Sequence, residues 1–196
     1  MEVMVRNVKN GKEELAYDIP NVPAHALRNL DKTGIIRVGS RTKNILNGGI
    51  MNKVSRGEKR ISDNVAQLRL AEEKEAIAHF LGMKITELTP GYAKVVMKLV
   101  PEYQNFNGVI FGGMIMAVAD QAFAYASNSL VQPSIASQFN IHFVNQASVG
   151  DEVIAECWVV KSGRRVGISE MKLTNQEGKT IAKATGTTIP VAKFNR

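Results

Sequence analysis

Residues 105–130 read NFNGVIFGGMIMAVADQAFAYASNSL, and this stretch decides how the rest of the chain must be arranged. It opens on paired glycines, Gly112 and Gly113, continues in apolar and small side chains, and carries one acid, Asp120. Between Tyr103 and Gly150, 48 residues, Asp120 is the only Asp, Glu, Lys or Arg. A helix that is apolar nearly all round is expected to be buried. An unpaired carboxylate is costly in such surroundings, and a functional site is the usual reason for keeping one. The alternative is an aspartate that caps a turn or pairs with a distant base.

On either side of this helix, segments punctuated by turn residues read as strands. Residues 83–88 and 92–100 read as strands about the turn Thr89-Pro90-Gly91, and 134–145, 152–160, 165–174 and 180–192 as four more. The intervening segments Ser148-Val149-Gly150-Asp151, Lys161-Ser162-Gly163 and Asn175-Gln176-Glu177-Gly178 carry turn chemistry. Before them, a helix is expected from Ser62 or Asp63 as N-cap to Gly82 as stop, with Val65, Leu68, Ile77, Phe80 and Leu81 on its apolar side. His79, near its end, reads as a surface or capping histidine. Helix, two strands, long helix, four strands is an α+β order. A mostly antiparallel sheet has to wrap the long helix, because only then is a helix this apolar covered.

The first third of the chain is different. Residues 1–70 carry 13 Lys+Arg against 7 Asp+Glu, so they hold +6 of the net charge of +7. Residues 1–60 show no sustained period, and the basic run 37–59 lacks the helix-turn-helix pattern, aromatic interleaving or zinc ligands that would mark nucleic-acid binding. The chain therefore divides into a poorly patterned basic extension, 1–61, and a patterned domain, 62–196. Asn47-Gly48-Gly49-Ile50-Met51 also admits a reading in which translation begins at Met51 and the preceding residues are read-through. The start lacks the apolar run of a signal peptide, and no segment is long enough for a membrane span. The single Cys157 makes no intrachain disulfide. These features point to a soluble, cytoplasmic protein without a metal site.

The constellation Asn105-Phe106-Asn107-Gly108-Val109-Ile110-Phe111-Gly112-Gly113, then Ala119-Asp120-Gln121-Ala122-Phe123-Ala124-Tyr125-Ala126, resembles the acyl-CoA thioesterases of the phenylacetic-acid-degradation type. These are kin of the 4-hydroxybenzoyl-CoA thioesterases and have the hotdog fold, a curved sheet around a central helix. Further likeness lies in residues 143–151, Gly163-Arg164-Arg165-Val166-Gly167 and Thr174-Asn175-Gln176, so the resemblance covers about 62–192. The family has a histidine before the two glycines, where this chain has Phe111.

The resemblance implies hydrolysis of an aromatic or other acyl-CoA, with no cofactor beyond the Coenzyme A of the substrate. A helix N-terminus offers unpaired N–H groups and the positive end of its dipole, and glycines there let a thioester oxygen approach. Gly112 and Gly113 fit that part, although a tight strand-to-helix turn alone would use the same residues. Asp120 fits the nucleophile or general base. It lies eight residues beyond Gly112, roughly 12 Å along a helix. One chain can hardly bring both to one carbonyl, and hotdog families meet this by forming dimers or tetramers. The resemblance gives Asn105 a part in holding the carbonyl or the water, or else it is a turn residue. Phe111 would line the substrate, and Ser137, Gln121 or Asn128 would support Asp120 or its water. Lys161, Arg164 and Arg165 are the candidates for the phosphates of Coenzyme A, against an ordinary exposed charge cluster. His142 reads as structural, and Trp158 as packing. A hydratase would need a catalytic histidine, and none of His25, His79 and His142 lies in the long helix or the glycine loop. A non-catalytic acyl-CoA sensor with a basic N-terminal segment is the remaining alternative.

Overall fold

The computed structural model describes residues 5–9, 12–16 and 56–191. The expectations for the basic run as far as residue 55, and for Met51 as a start, lie outside them. Strands β1 (Val5–Lys9) and β2 (Lys12–Ala16) form an antiparallel hairpin in register from Val5 opposite Ala16 to Lys9 opposite Lys12. Five residues per strand are too few to register as a sustained period in the sequence.

The first helix, α1, spans Arg56–Glu72, so Ser62 and Asp63 lie inside it and not at its cap. The helix formers Arg56, Glu58, Lys59 and Arg60 carry it further upstream, and Glu58 sits in the first turn, where the positive end of the dipole favours an acid. Asn64 and Leu68, four apart, are its buried positions. Asn64 Nδ2 donates to the carbonyls of Ser129 and Leu130 at 3.5 and 3.4 Å, satisfying carbonyls that the end of a helix leaves without partners. The expected single helix to Gly82 is broken before Glu75, which is the N-cap of a separate short helix, α2 (Ala76–Phe80). Gly82 does stop it, at φ 65, a conformation that glycine adopts without strain.

Six strands follow in one antiparallel sheet: β3 (Lys84–Thr89), β4 (Tyr92–Lys98), β5 (Ser134–Phe143), β6 (Glu152–Ser162), β7 (Gly167–Thr174) and β8 (Thr180–Pro190). Their order is β3-β4-β6-β7-β8-β5, which leaves β3 and β5 as edges. The long helix α3 (Gly112–Leu130) enters between β4 and β5 and packs against the sheet. This is the α+β hotdog arrangement. Ala93, Val95, Ala155, Cys157, Leu173 and Ala182 line the core together with Val118, Ala119, Ala122 and Ala126 of α3. Phe123, 1% exposed, meets Phe139 of β5 edge-on at 5.8 Å. It fits because Gly186 has no Cβ: one built there would stand 2.5 Å from Phe123 Cζ.

The helix is not covered all round. Met116, Asp120 and Ala124, spaced by four, form an exposed row along it. Beside that helix, β5 is open on both faces over most of its length, unlike any other strand of the sheet. One chain thus falls short of burying its own most apolar helix.

Candidate active site

Asp120 stands in the middle of the bare row of α3 and is exposed in the single chain. Its apolar neighbours still withhold enough water to push its carboxyl above the ordinary carboxylate value. It makes no ion pair among the described residues, so the structural alternative of a salt-bridged aspartate finds no support in the geometry.

The start of α3 presents backbone donors that no side chain caps. Phe111 is the N-cap and gives no side-chain hydrogen bond to the helix. Its backbone N–H donates to Tyr103 O at 2.8 Å, and its own carbonyl accepts from Met114 N at 2.9 Å. The N–H groups of Gly112 and Gly113 have no intrahelical acceptor at this end. An aromatic ring flanks each glycine. A Cβ on Gly112 would stand 3.1 Å from Phe143 Cζ, and one on Gly113 would stand 2.9 Å from Phe111 Cδ1. Phe111 therefore lies over Gly113, with its side chain half open to solvent at 55% exposure.

Asn105 organises the loop before the helix. Its Oδ1 accepts from Asn107 N at 2.9 Å and Val109 N at 3.4 Å, while its backbone N–H donates to Val109 O at 2.8 Å. Among the described residues its Nδ2 has no hydrogen-bond partner. Asn105 is thus a turn residue that keeps one donor in reserve.

Three residues expected to support Asp120 are committed elsewhere. Gln121 is buried, and its Nε2 donates to Glu75 Oε2 at 2.6 Å; Tyr125 OH donates to the same oxygen at 2.7 Å. This ties α2 to α3 and was not expected from the sequence, because Glu75 lies 46 residues from Gln121. Asn128 donates to Ala124 O and Ser134 O and accepts from Ser134 N at 2.8 Å, fastening the end of α3 to the start of β5. Ser137 sits at the irregularity of β5, where Ala136 and Gln138 face Thr188 and Thr187, and its hydroxyl donates to Thr187 O at 3.1 Å.

Lys161, Arg164 and Arg165 are exposed at the β6–β7 hairpin. Ser162 and Gly163 of that hairpin share a small cleft with Ser127 and Val131, at the C-terminal end of α3. Within one chain the basic hairpin is therefore separated from Gly112 by the length of α3, about 28 Å for 19 residues. His142 is exposed on β5 opposite Lys183, and His79 is exposed with Nε2 3.1 Å from Glu73 O. Among the described residues no cluster of His, Cys, Asp or Glu has the makings of a metal site.

A cleft of about 280 Å³ adjoins Gly112 and was not anticipated. Its lining comes from the loop before α3, from Ile115, and from residues 143–147 with Ile181, segments that only the folded chain brings together.

Residues 107–182 match the thioesterase superfamily. The acyl-coenzyme A thioesterase PaaI of Escherichia coli is 34% identical over 110 residues, which are 56% of this chain and 79% of that protein. The solved structure of the E. coli PaaI protein from the phenylacetic acid degradation operon aligns with a TM-score of 0.64 at 30% identity, covering 67% of this chain and 96% of that one. A Streptococcus mutans protein solved bound to acetyl CoA aligns at 0.54 with 25% identity, covering 57% and 90%. A likeness of another kind joins these: 70 residues, 35% of this chain, are 47% identical to the DNA-directed RNA polymerase subunit beta of Syntrophus aciditrophicus, but span only 5% of that subunit. By fold, by the glycine-opened helix with its lone aspartate, and by these relatives, the chain belongs to the thioesterase superfamily, as a hotdog thioester hydrolase of the PaaI type.

Proposed function

We propose that the protein hydrolyses acyl-CoA thioesters as a homodimer or a homotetramer built from such dimers. The observation that carries this reading is Asp120 itself, left bare on a mostly buried helix and about 12 Å from the glycine donors of its own chain. A second copy laid along the open β5 edge and the Met116–Asp120–Ala124 row would cover both. It would also bring one subunit's Asp120 toward the other's Gly112 and Gly113. In that site the glycine N–H groups hold the carbonyl oxygen as it gains negative charge. Asp120 attacks the carbonyl carbon or takes a proton from the attacking water, and Coenzyme A leaves as its thiol. Asn105 offers Nδ2 to the water or the carbonyl, and Phe111 forms a wall of the site. Lys161, Arg164 and Arg165 are assigned to the phosphates of Coenzyme A, across the subunit boundary.

The substrate class is supported by the E. coli relative, an acyl-coenzyme A thioesterase by name, and by the acetyl CoA in the S. mutans structure. No cofactor is needed by this chemistry. Cytoplasmic placement belongs to the same proposal, resting on the free, buried Cys157 and on the lack of a membrane-length apolar helix among the described residues. So does the division into an extension and a catalytic domain, with the boundary expected at 61 moved to before Arg56, because residues 56–61 form the first turns of α1.

Thiol release from a panel of short, long and aromatic acyl-CoAs tests the reading, with Asp120→Asn in parallel. Turnover by the native chain is expected, and loss of the base should lower kcat by at least about a hundredfold. KM should change little, because other groups hold the acyl chain and the nucleotide. The position of Phe111 favours one rival, a non-catalytic sensor. Acyl-CoA binding without turnover of any thioester would establish that instead.

A further inference from the structure

The tie between α2 and α3 reaches the residue next to the proposed base. Glu75, the N-cap of α2, accepts two short hydrogen bonds at one oxygen: Gln121 Nε2 donates to Oε2 at 2.6 Å, and Tyr125 OH donates to it at 2.7 Å. Gln121 and Tyr125 are one turn apart on α3, so one oxygen can serve both. Both donors are buried, and Glu75 makes no ion pair among the described residues. Burial and the neighbouring carboxylate hold the Tyr125 hydroxyl well above its ordinary value, so it stays a donor. A half-buried carboxylate without a cation is a costly way to fasten a five-residue helix.

The bond to Gln121 does something that the bond to Tyr125 does not. A carboxylate only accepts, so Gln121 must turn its amide nitrogen toward Glu75 and its amide oxygen away. Among the described residues Oε1 has no hydrogen-bond partner, and it is not sealed from water. Gln121 directly follows Asp120. Successive residues of a helix diverge by about 100°, too far for their side chains to face each other. A single water, with a bond of about 2.8 Å on either side, spans acceptors roughly 5 Å apart. The Glu75–Gln121 contact lies within one chain, so it travels with Asp120 to whichever partner supplies the glycines.

We propose that Glu75 is a positioning residue: by fixing the Gln121 amide it sets Oε1 beside Asp120, and these two acceptors hold the attacking water between them. The proposal rests on the thioesterase reading above and takes Asp120 as the base. Gln121 Oε1 holds one O–H of the water while Asp120 takes the proton of the other, and a lone pair of the water oxygen forms the bond to the carbonyl carbon. The C–S bond then breaks with its pair going to sulfur, and the proton on Asp120 neutralises the thiolate. The hydrogen that stayed on Gln121 remains with the acid product.

The test is a double-mutant cycle read in kcat on the full chain, with an acyl-CoA that the native protein turns over. Gln121→Met keeps the bulk and removes the acceptor. Its kcat should fall about tenfold, the size of one hydrogen bond lost at the transition state. KM should not change, because the amide touches water and not the substrate. Glu75→Ala frees the amide to turn, and kcat should fall by a similar factor. The double variant should be no worse than Gln121→Met alone, since Glu75 acts only through that amide. Tyr125→Phe loosens the same tie between α2 and α3 without freeing the amide, so its melting temperature should drop while kcat holds. Glu75→Gln serves where Glu75→Ala folds poorly: it keeps the bulk, lets the Gln121 amide turn round, and should lower kcat alone but not on top of Gln121→Met. Native kcat in Gln121→Met, additive losses in the cycle, or equal losses in Tyr125→Phe and Glu75→Ala would overturn the proposal. Those outcomes leave the thioesterase reading standing, whereas a native chain that turns over no thioester ends both.

Discussion

At position 120 a single carboxylate, the proposed base, also bears a stability cost, and pH separates the two. Burial among apolar neighbours raises its folded-state pKa above the unfolded value of 3.8. Below 3.8 both states are protonated, and Asp120 contributes nothing to stability. As pH rises from there through the raised folded value, the unfolded chain ionises first, so stability falls across that window and stays lower above it. Asp120→Asn has no such penalty. Its melting temperature should exceed that of the native protein at pH 7, and the difference should vanish toward pH 3.5, read by calorimetry on one preparation. The base must be ionised to work, so the acid limb of kcat should lie above the ordinary carboxylate range. A native protein more stable than Asp120→Asn at pH 7 would reveal a stabilising partner and contradict the unpaired aspartate. The identity of this residue was readable from the sequence because it is the only charge in 48 residues. Its exposure was not, since that depends on how far one sheet reaches around one helix.

Among the elements, the strands were the most legible. Six expected strands appear within a few residues of their places because Pro90-Gly91, Gly150-Asp151 and Asn175–Gly178 punctuate the chain between them. The start of α1 was missed because Ser and Asp are favoured caps but also ordinary residues of a helix flank, and upstream helix formers outweighed them. The Glu75–Gln121–Tyr125 cluster and the cleft at Phe143 were hidden for a different reason: their members are far apart in sequence, and no local pattern marks them. The boundary of α1 has a practical consequence. Its buried positions Asn64 and Leu68 dock against α3 and the core, so the helix belongs to the folded domain. Removing residues 1–50 should leave α1 whole, with melting temperature and kcat close to those of the full chain. A truncated protein that is insoluble, or that melts many degrees lower, would show that the extension is part of the core.

For the whole molecule the question is whether one site needs two chains. The geometry of α3 makes a sharp prediction, because the glycines at its start and Asp120 near its middle, the two proposed working parts, cannot converge within one subunit. Gly112→Val crowds the donor end, and Asp120→Asn disables the base, so each homodimer should be nearly inactive. Mixed and allowed to exchange subunits, half of the dimers become mixed dimers. Each has one site that combines the native Gly112 of one chain with the native Asp120 of the other, while its second site carries both defects. Activity should therefore return to about a quarter of the native level, as the two-fold symmetry of such an interface requires. If glycine donors and aspartate instead served within one chain, every site in the mixture would keep a defect and mixing would restore nothing. Light scattering on the same samples guards the inference, since it depends on the native protein being at least a dimer at micromolar concentration. A fully active monomer would exclude the shared site outright. The open β5 edge and the bare Met116–Asp120–Ala124 row are the surfaces that such a partner would have to cover.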